Sequence, residues 1–134
     1  MKYLFDTNVC IRILKGNSPG ILQRIEVVEN CDIVIPSIVR YELFYGAYKS
    51  IREKETLMIL KDFLGSFNDA VFDMHVADVC GGIRAELDKA GTPIGPYDLL
   101  IGAIALCNNF TLVTNNTREF SRIDGLKIED WEKI

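Results

Sequence analysis

The sequence predicts an α/β fold in which helices flank a mostly parallel sheet of four to five short strands. Three observations predict it. Short apolar runs of strand length alternate with longer segments of helical pattern. Glycine and proline punctuate the joints. No repeat, low-complexity tract or linker divides the 134 residues, so a single domain over residues 1–134 is expected.

Taken in order, Tyr3–Asp6 reads as a buried strand. A helix follows from Val9 to Lys15, with Asn8 as its N-cap and Gly16 just past its end. Ser18-Pro19 opens a second helix, with proline at the first helical position. Ile33–Ile35 is the second strand, and Ser37 caps a helix that runs through Tyr48. Ile51–Leu64 is a further helix, with Leu57, Leu60 and Leu64 at helical spacing. Ala70–Phe72 is expected as a third strand and Val76–Lys89 as a helix. The run Gly91-Thr92-Pro93-Ile94-Gly95-Pro96 is a loop by composition, and Tyr97–Asn108 a strongly apolar helix. Thr111–Thr114 and Leu126–Ile128 complete the sheet. Parallel sheets of this kind bind ligands at the carboxyl ends of their strands.

Composition narrows the function. Hydrophobic residues make up 49% and charged residues 25%, as in globular proteins. No apolar run approaches the roughly 18 residues of a membrane span, and the start of the chain is unlike a signal peptide. A cytosolic protein that uses no membrane is expected. Cys10, Cys31, Cys80 and Cys107 form no C-x-x-C pair and sit among apolar neighbours, so they read as small hydrophobes. The net charge of −4 argues against tight, non-specific nucleic-acid binding. It is compatible with a site whose positive charge comes from metal ions. No P-loop is present and no G-x-G-x-x-G follows the first strand, which excludes the nucleotide-binding readings.

Three carboxylates stand in apolar surroundings: Asp6 at the end of the first strand, Glu42 between Val39 and Leu43-Phe44, and Asp98 beside Leu99-Leu100-Ile101. Buried acids need partners. Asp98 has no Lys or Arg at helical spacing, and clustered carboxylates raise each other's pKa. A divalent cation removes that conflict. Gly46 and Gly102 follow Glu42 and Asp98 by four residues; close helix packing is the expected role of either one alone, and space above each carboxylate for an ion and a phosphate is the alternative. Leu112-Val113-Thr114-Asn115-Asn116 places polar side chains directly after a strand, and Glu119 lies three residues farther on. An all-oxygen donor set suits Mg²⁺ or Mn²⁺, and metal-assisted phosphodiester hydrolysis is the chemistry that fits.

At these residues the chain resembles the PIN-domain family and, within it, the VapC-type toxins. The matching segments are Phe5-Asp6-Thr7-Asn8, the run from Ser37 to Gly46, Gly91 through Asp98, and Leu112 through Asn116. Glu119-Phe120, Gly125-Leu126 and Glu129-Asp130-Trp131 complete the likeness. The resemblance implies an α/β/α sandwich and Mg²⁺- or Mn²⁺-dependent cleavage of tRNA or rRNA. It also implies a VapB-like antitoxin bound in a hydrophobic groove, and a homodimer. It assigns Asp6, Glu42 and Asp98 to the metal and catalysis. Many family members carry a fourth aspartate where Asn116 stands here, and Glu119 is the candidate to supply that charge. Asn8, Thr114 and Asn116 would orient the ligands from behind.

Smaller features were weighed against these. His75, the only histidine, reads as structural. Tyr41, Phe44, Tyr45 and Tyr48 read equally as packing or as an interface. Among the scattered Lys49, Arg52, Arg118 and Arg122, Arg118 is the best candidate for an RNA phosphate. A haloacid-dehalogenase-type phosphatase would need an acid where Asn8 stands. A catalytically silent PIN-like binding module, and a PIN nuclease of RNA processing without an antitoxin, remain as alternatives.

Overall fold

In the computed structural model, which describes residues 1–133, twelve short elements follow one another. They are β1 (Tyr3–Phe5), α1 (Thr7–Lys15), α2 (Pro19–Val27), a 3₁₀ turn (Asn30–Asp32), β2 (Ile33–Val34), α3 (Ser37–Tyr48) and α4 (Glu53–Leu64). Then come α5 (Met74–Ala90), α6 (Pro96–Cys107), β3 (Thr111–Val113), α7 (Thr117–Phe120) and β4 (Lys127–Glu129). The four strands form one sheet in the order β2-β1-β3-β4, every pair parallel. The expected α/β architecture with a parallel sheet is therefore present.

Chain order explains the layers. The connection from β1 to β2 carries α1 and α2 one way along the sheet, and the connection from β2 to β3 returns over β1. Right-handed crossovers put those two sets of helices on opposite faces. The close contacts agree. A methyl group on Gly20 of α2 would meet the Trp131 carbonyl oxygen at 2.5 Å, whereas one on Gly102 of α6 would meet Ile123 Cδ1 at 2.7 Å. Trp131, 1% exposed, stands edge-on to Tyr3 and Phe5 with ring centroids 5.1 and 5.3 Å away. The strand residues Leu4, Phe5, Ile33, Leu112 and Val113 are fully buried between the layers.

Local chemistry sets the boundaries, and several differ from expectation. Asp6, not Asn8, caps α1: its carboxylate accepts from the Val9 amide at 2.9 Å. Asp6 is the last extended residue before the helix, so its short side chain reaches the free N–H groups first. Gly16 ends that helix in the left-handed conformation at φ 64°. Ser37 is the first residue of α3 rather than its cap, and its hydroxyl goes to Asp69 and the Ala70 carbonyl. Ala70–Phe72 is not a strand. Asp69 binds its own following amide at 2.7 Å, which turns the chain away after a lone bridge between Val34 and Asn68. The last strand runs Lys127–Glu129, one residue later than expected, and makes the sheet four-stranded. Among the cysteines, Cys10 and Cys80 are buried and Cys107 partly so, but Cys31 is exposed on the 3₁₀ turn. His75 is exposed in the first turn of α5. No helix among the described residues is long and apolar enough to cross a membrane.

Candidate active site

Strands β1 and β3 are neighbours although the chain leaves them in opposite directions along the sheet. Their carboxyl ends are the topological switch point, where open parallel sheets bind ligands. Asp6 ends β1 there and Thr114 ends β3. The Thr114 hydroxyl donates to Asp6 Oδ2 at 2.5 Å across 108 residues of sequence, and Thr114 Oγ1 accepts from the Asn116 amide at 3.0 Å. The single hydroxyl proton is thereby committed to the carboxylate. Asp6 is 4% exposed and Thr114 1%. Burial pushes the Asp6 carboxyl up to about 6; nearby Asp98 and Glu132 add to the rise, against the hydrogen bonds from Thr114 and Val9.

Helices bring the other acids to this edge. Glu42, on α3, accepts from the Thr7 hydroxyl at 2.9 Å. Thr7 directly follows Asp6, so two adjacent residues hold two of the carboxylates. Asp98 sits in the first turn of α6, where a negative charge suits the helix dipole. Its pKa is nevertheless raised, first by burial and then by the charges of Glu119 and Glu42. Glu119 arrives on α7. The Asn116 side-chain amide donates to Glu119 at 2.7 Å and to Asp98 at 3.3 Å, bridging the two acids. Among the described residues, the only trio of metal-ligand atoms within 4.8 Å of one another is Glu29, Cys31 and Asp32, on the exposed turn ahead of β2. The carboxylates at the switch point stand wider than that.

The remaining candidates fall as follows. Asn8 is exposed on α1, and Thr7 makes the contact to Glu42 instead. A polar β-branched residue at the first position of a helix, beside a capping aspartate, was the available signal for Thr7. Arg118 is exposed on α7 beside Glu119, while Arg122 donates to the Pro93 carbonyl at 2.6 Å. The two glycines part company. Nothing lies within 4 Å of a methyl group placed on Gly46, but Gly102 is filled from the other side by Ile123 and Phe120. Gly102 thus serves the close packing expected of it, whereas the space after Glu42 is open. It belongs to a groove of about 550 Å³ lined by Ile11, Leu14, Leu43, Gly46, Ile59 and Leu60 among others.

Residues 3–126 match the sequence model of the PIN domain family. The chain belongs to the PIN-domain family. Curated PIN-domain relatives include a protein of Salmonella typhimurium named tRNA(fMet)-specific endonuclease VapC, 40% identical over 131 residues and 98% of both chains. Another is Ribonuclease VapC2 of Rickettsia felis, 37% identical over 99% of this chain and all of that one. The PIN fold superimposes on a chain of the DNA-bound VapBC of Salmonella typhimurium with a TM-score of 0.91 at 40% identity, covering 98% of each. For Rickettsia felis VapBC2 on a promoter DNA fragment the TM-score is 0.90 at 36% identity, over 98% of this chain and 99% of that one.

Proposed function

We propose that this PIN domain is a divalent-metal-dependent endoribonuclease and the toxin of a VapBC-type pair, acting in the cytoplasm on tRNA or rRNA. The observation that carries the reading is the convergence of Asp6, Glu42, Asp98 and Glu119 on the switch point of the sheet. The relatives' names support the substrate class, and tRNA(fMet), which the Salmonella relative's name specifies, is the first substrate to try.

The donor set fits Mg²⁺ or Mn²⁺. It is all oxygen, and burial with mutual repulsion raises the pKa of both Asp6 and Asp98, a conflict that a cation relieves. Asp6 and Asp98 would hold the principal ion, with Glu42 and Glu119 beside them. Bound there, such an ion lowers the pKa of water and neutralises charge developing on the phosphate. The protein's own groups do the rest. Thr114 fixes one oxygen of Asp6, and the Val9 amide fixes the other. Thr7 aims Glu42, which is placed to orient the attacking water. Asn116 keeps Glu119 next to Asp98, where an acid on α7 takes the place of the family's fourth aspartate. That arrangement favours a competent nuclease over a silent module.

The groove beside Glu42 suits an apolar antitoxin segment. Glu42 lines it, so an arginine carried on that segment would pair with that carboxylate. Tyr45 and Tyr48, 58% and 57% exposed farther along α3, would serve that interface or a homodimer. The test is cleavage of total tRNA and rRNA in Mg²⁺, Mn²⁺ or EDTA, with wild type beside Asp6→Asn. Discrete cuts that need both metal and Asp6 are expected. A folded, antitoxin-free protein that makes no cuts in Mg²⁺ or Mn²⁺ sinks the reading in favour of a binding module.

A further inference from the structure

Two of the three helix-borne carboxylates are each preceded by a tyrosine. Tyr41 comes before Glu42 on α3, and Tyr97 before Asp98 at the start of α6. Although 56 residues separate them, their hydroxyls lie 3.5 Å apart and their ring centroids 5.9 Å apart at 57°. The rings meet tilted, so neither covers the other's face. Tyr41 is 54% and Tyr97 46% exposed, which excludes a role in the core. The pair thus stands one helical position from each of two carboxylates, with Tyr97 also lining the apolar cavity between α5 and α6.

Charge at the same edge makes the pair informative. The chain carries a net −4, and two of the arginines around the site are occupied. Arg40 is spent on the carbonyls of Ile35, Phe67 and Asn68 and on Asp69, and Arg122 on Pro93. Phosphate contacts ordinarily supply most affinity for nucleic acid; here Arg118, exposed on α7 beside Glu119, is left to supply them. Stacking on aromatic rings is the other source, and it requires unpaired bases.

We propose that Tyr41 and Tyr97 form a stacking platform that seats an unpaired nucleobase of the RNA next to the phosphate being cut. The inference rests on the nuclease reading and adds to it a subsite for single-stranded RNA. Because every base has a π-face, the platform tolerates sequence and selects against duplex.

The test uses the full chain and an unstructured RNA oligonucleotide carrying 2-aminopurine, with a fully paired duplex of the same sequence as control. Tyr41→Ala and Tyr97→Ala are each expected to raise KM on the unpaired RNA by about 5- to 150-fold, the equivalent of one lost base stack, with kcat little changed. Tyr41→Phe and Tyr97→Phe keep the ring and should keep the wild-type KM. Quenching of 2-aminopurine by wild type, measured in EDTA, should vanish in the alanine variants and persist in the phenylalanine ones. Circular dichroism establishes that each variant is folded. Alanine variants with wild-type KM and quenching overturn the proposal. So do phenylalanine variants as defective as alanine, since then the hydroxyls act and not the rings. A change of mass in light scattering that parallels the loss of binding assigns the rings to a protein interface and overturns it too. Wild type that never cuts RNA removes the nuclease reading alone, because the quenching in EDTA reports the platform without cleavage.

Discussion

The two sides of the acidic site are built differently. Asp6 and Thr114 stand on strand ends, are almost wholly buried, and are tied by short hydrogen bonds to each other and to the Val9 amide. Glu42, Asp98 and Glu119 stand on three helices, are half-buried, and reach the site through bonds to Thr7 and Asn116, one of them 3.3 Å long. The sheet gives one anchor whose position its own pairing dictates. The helices give three adjustable charges that an ion or a substrate can draw in. Charge repulsion is thus tolerated on the adjustable side, and the rigid side carries the single most buried acid.

This contrast can be broken in order of expected effect. Asp98→Asn should take cleavage to background and leave the melting temperature unchanged, because the residue packs little and keeps its shape; RNA gel assays beside calorimetry check both. Activity that survives would move the chemistry entirely to the strand side. Thr114→Val should damage both properties. It removes a hydroxyl from a buried carboxylate and should cost about 1–3 kcal/mol in urea unfolding, with a roughly 10- to 100-fold loss of activity. Stability unchanged by Thr114→Val would deny that the strand side is rigid. Thr7→Val should cost less, near the lower end of that activity range, since it frees Glu42 without unseating it. Glu119→Gln should be mildest, shifting the Mg²⁺ concentration for half-maximal cleavage upward while maximal rate holds. The same ion should raise the melting temperature of wild type by ligand linkage and should fail to do so for Asp6→Asn, which retains a good cap.

Much of the frame was readable in the linear sequence because local signals agreed. The apolar runs at Tyr3–Phe5 and Thr111–Val113, Gly16 past the end of α1, and Pro19 at the start of α2 each report the structure directly, while Pro96, expected in a loop, is the first residue of α6. The departures arose where tertiary partners decide. Asp69 and Ser37 satisfy the backbone that would have made Ala70–Phe72 a strand. Gly46 is open and Gly102 packed because Ile123 and Phe120, distant in sequence, fill only the second. Thr7 escaped attention for the same reason, its partner lying 35 residues away. The cap lies at Asp6, two residues ahead of Asn8, with one oxygen on the Val9 amide and the other on Thr114.

The bond between Thr114 and Asp6 has a consequence for timing. Asp6 and Thr114 lie 108 residues apart in sequence, so their meeting is a strongly non-local step and a slow one. Until β3 docks against β1, the aspartate lacks both its hydroxyl partner and its neighbours on α6 and α7. Before that docking the chain carries the aspartate without the assembled acidic site. Circular permutants that place the two residues close in sequence should shorten that interval, and refolding followed by RNA cleavage would register it as a faster onset of activity.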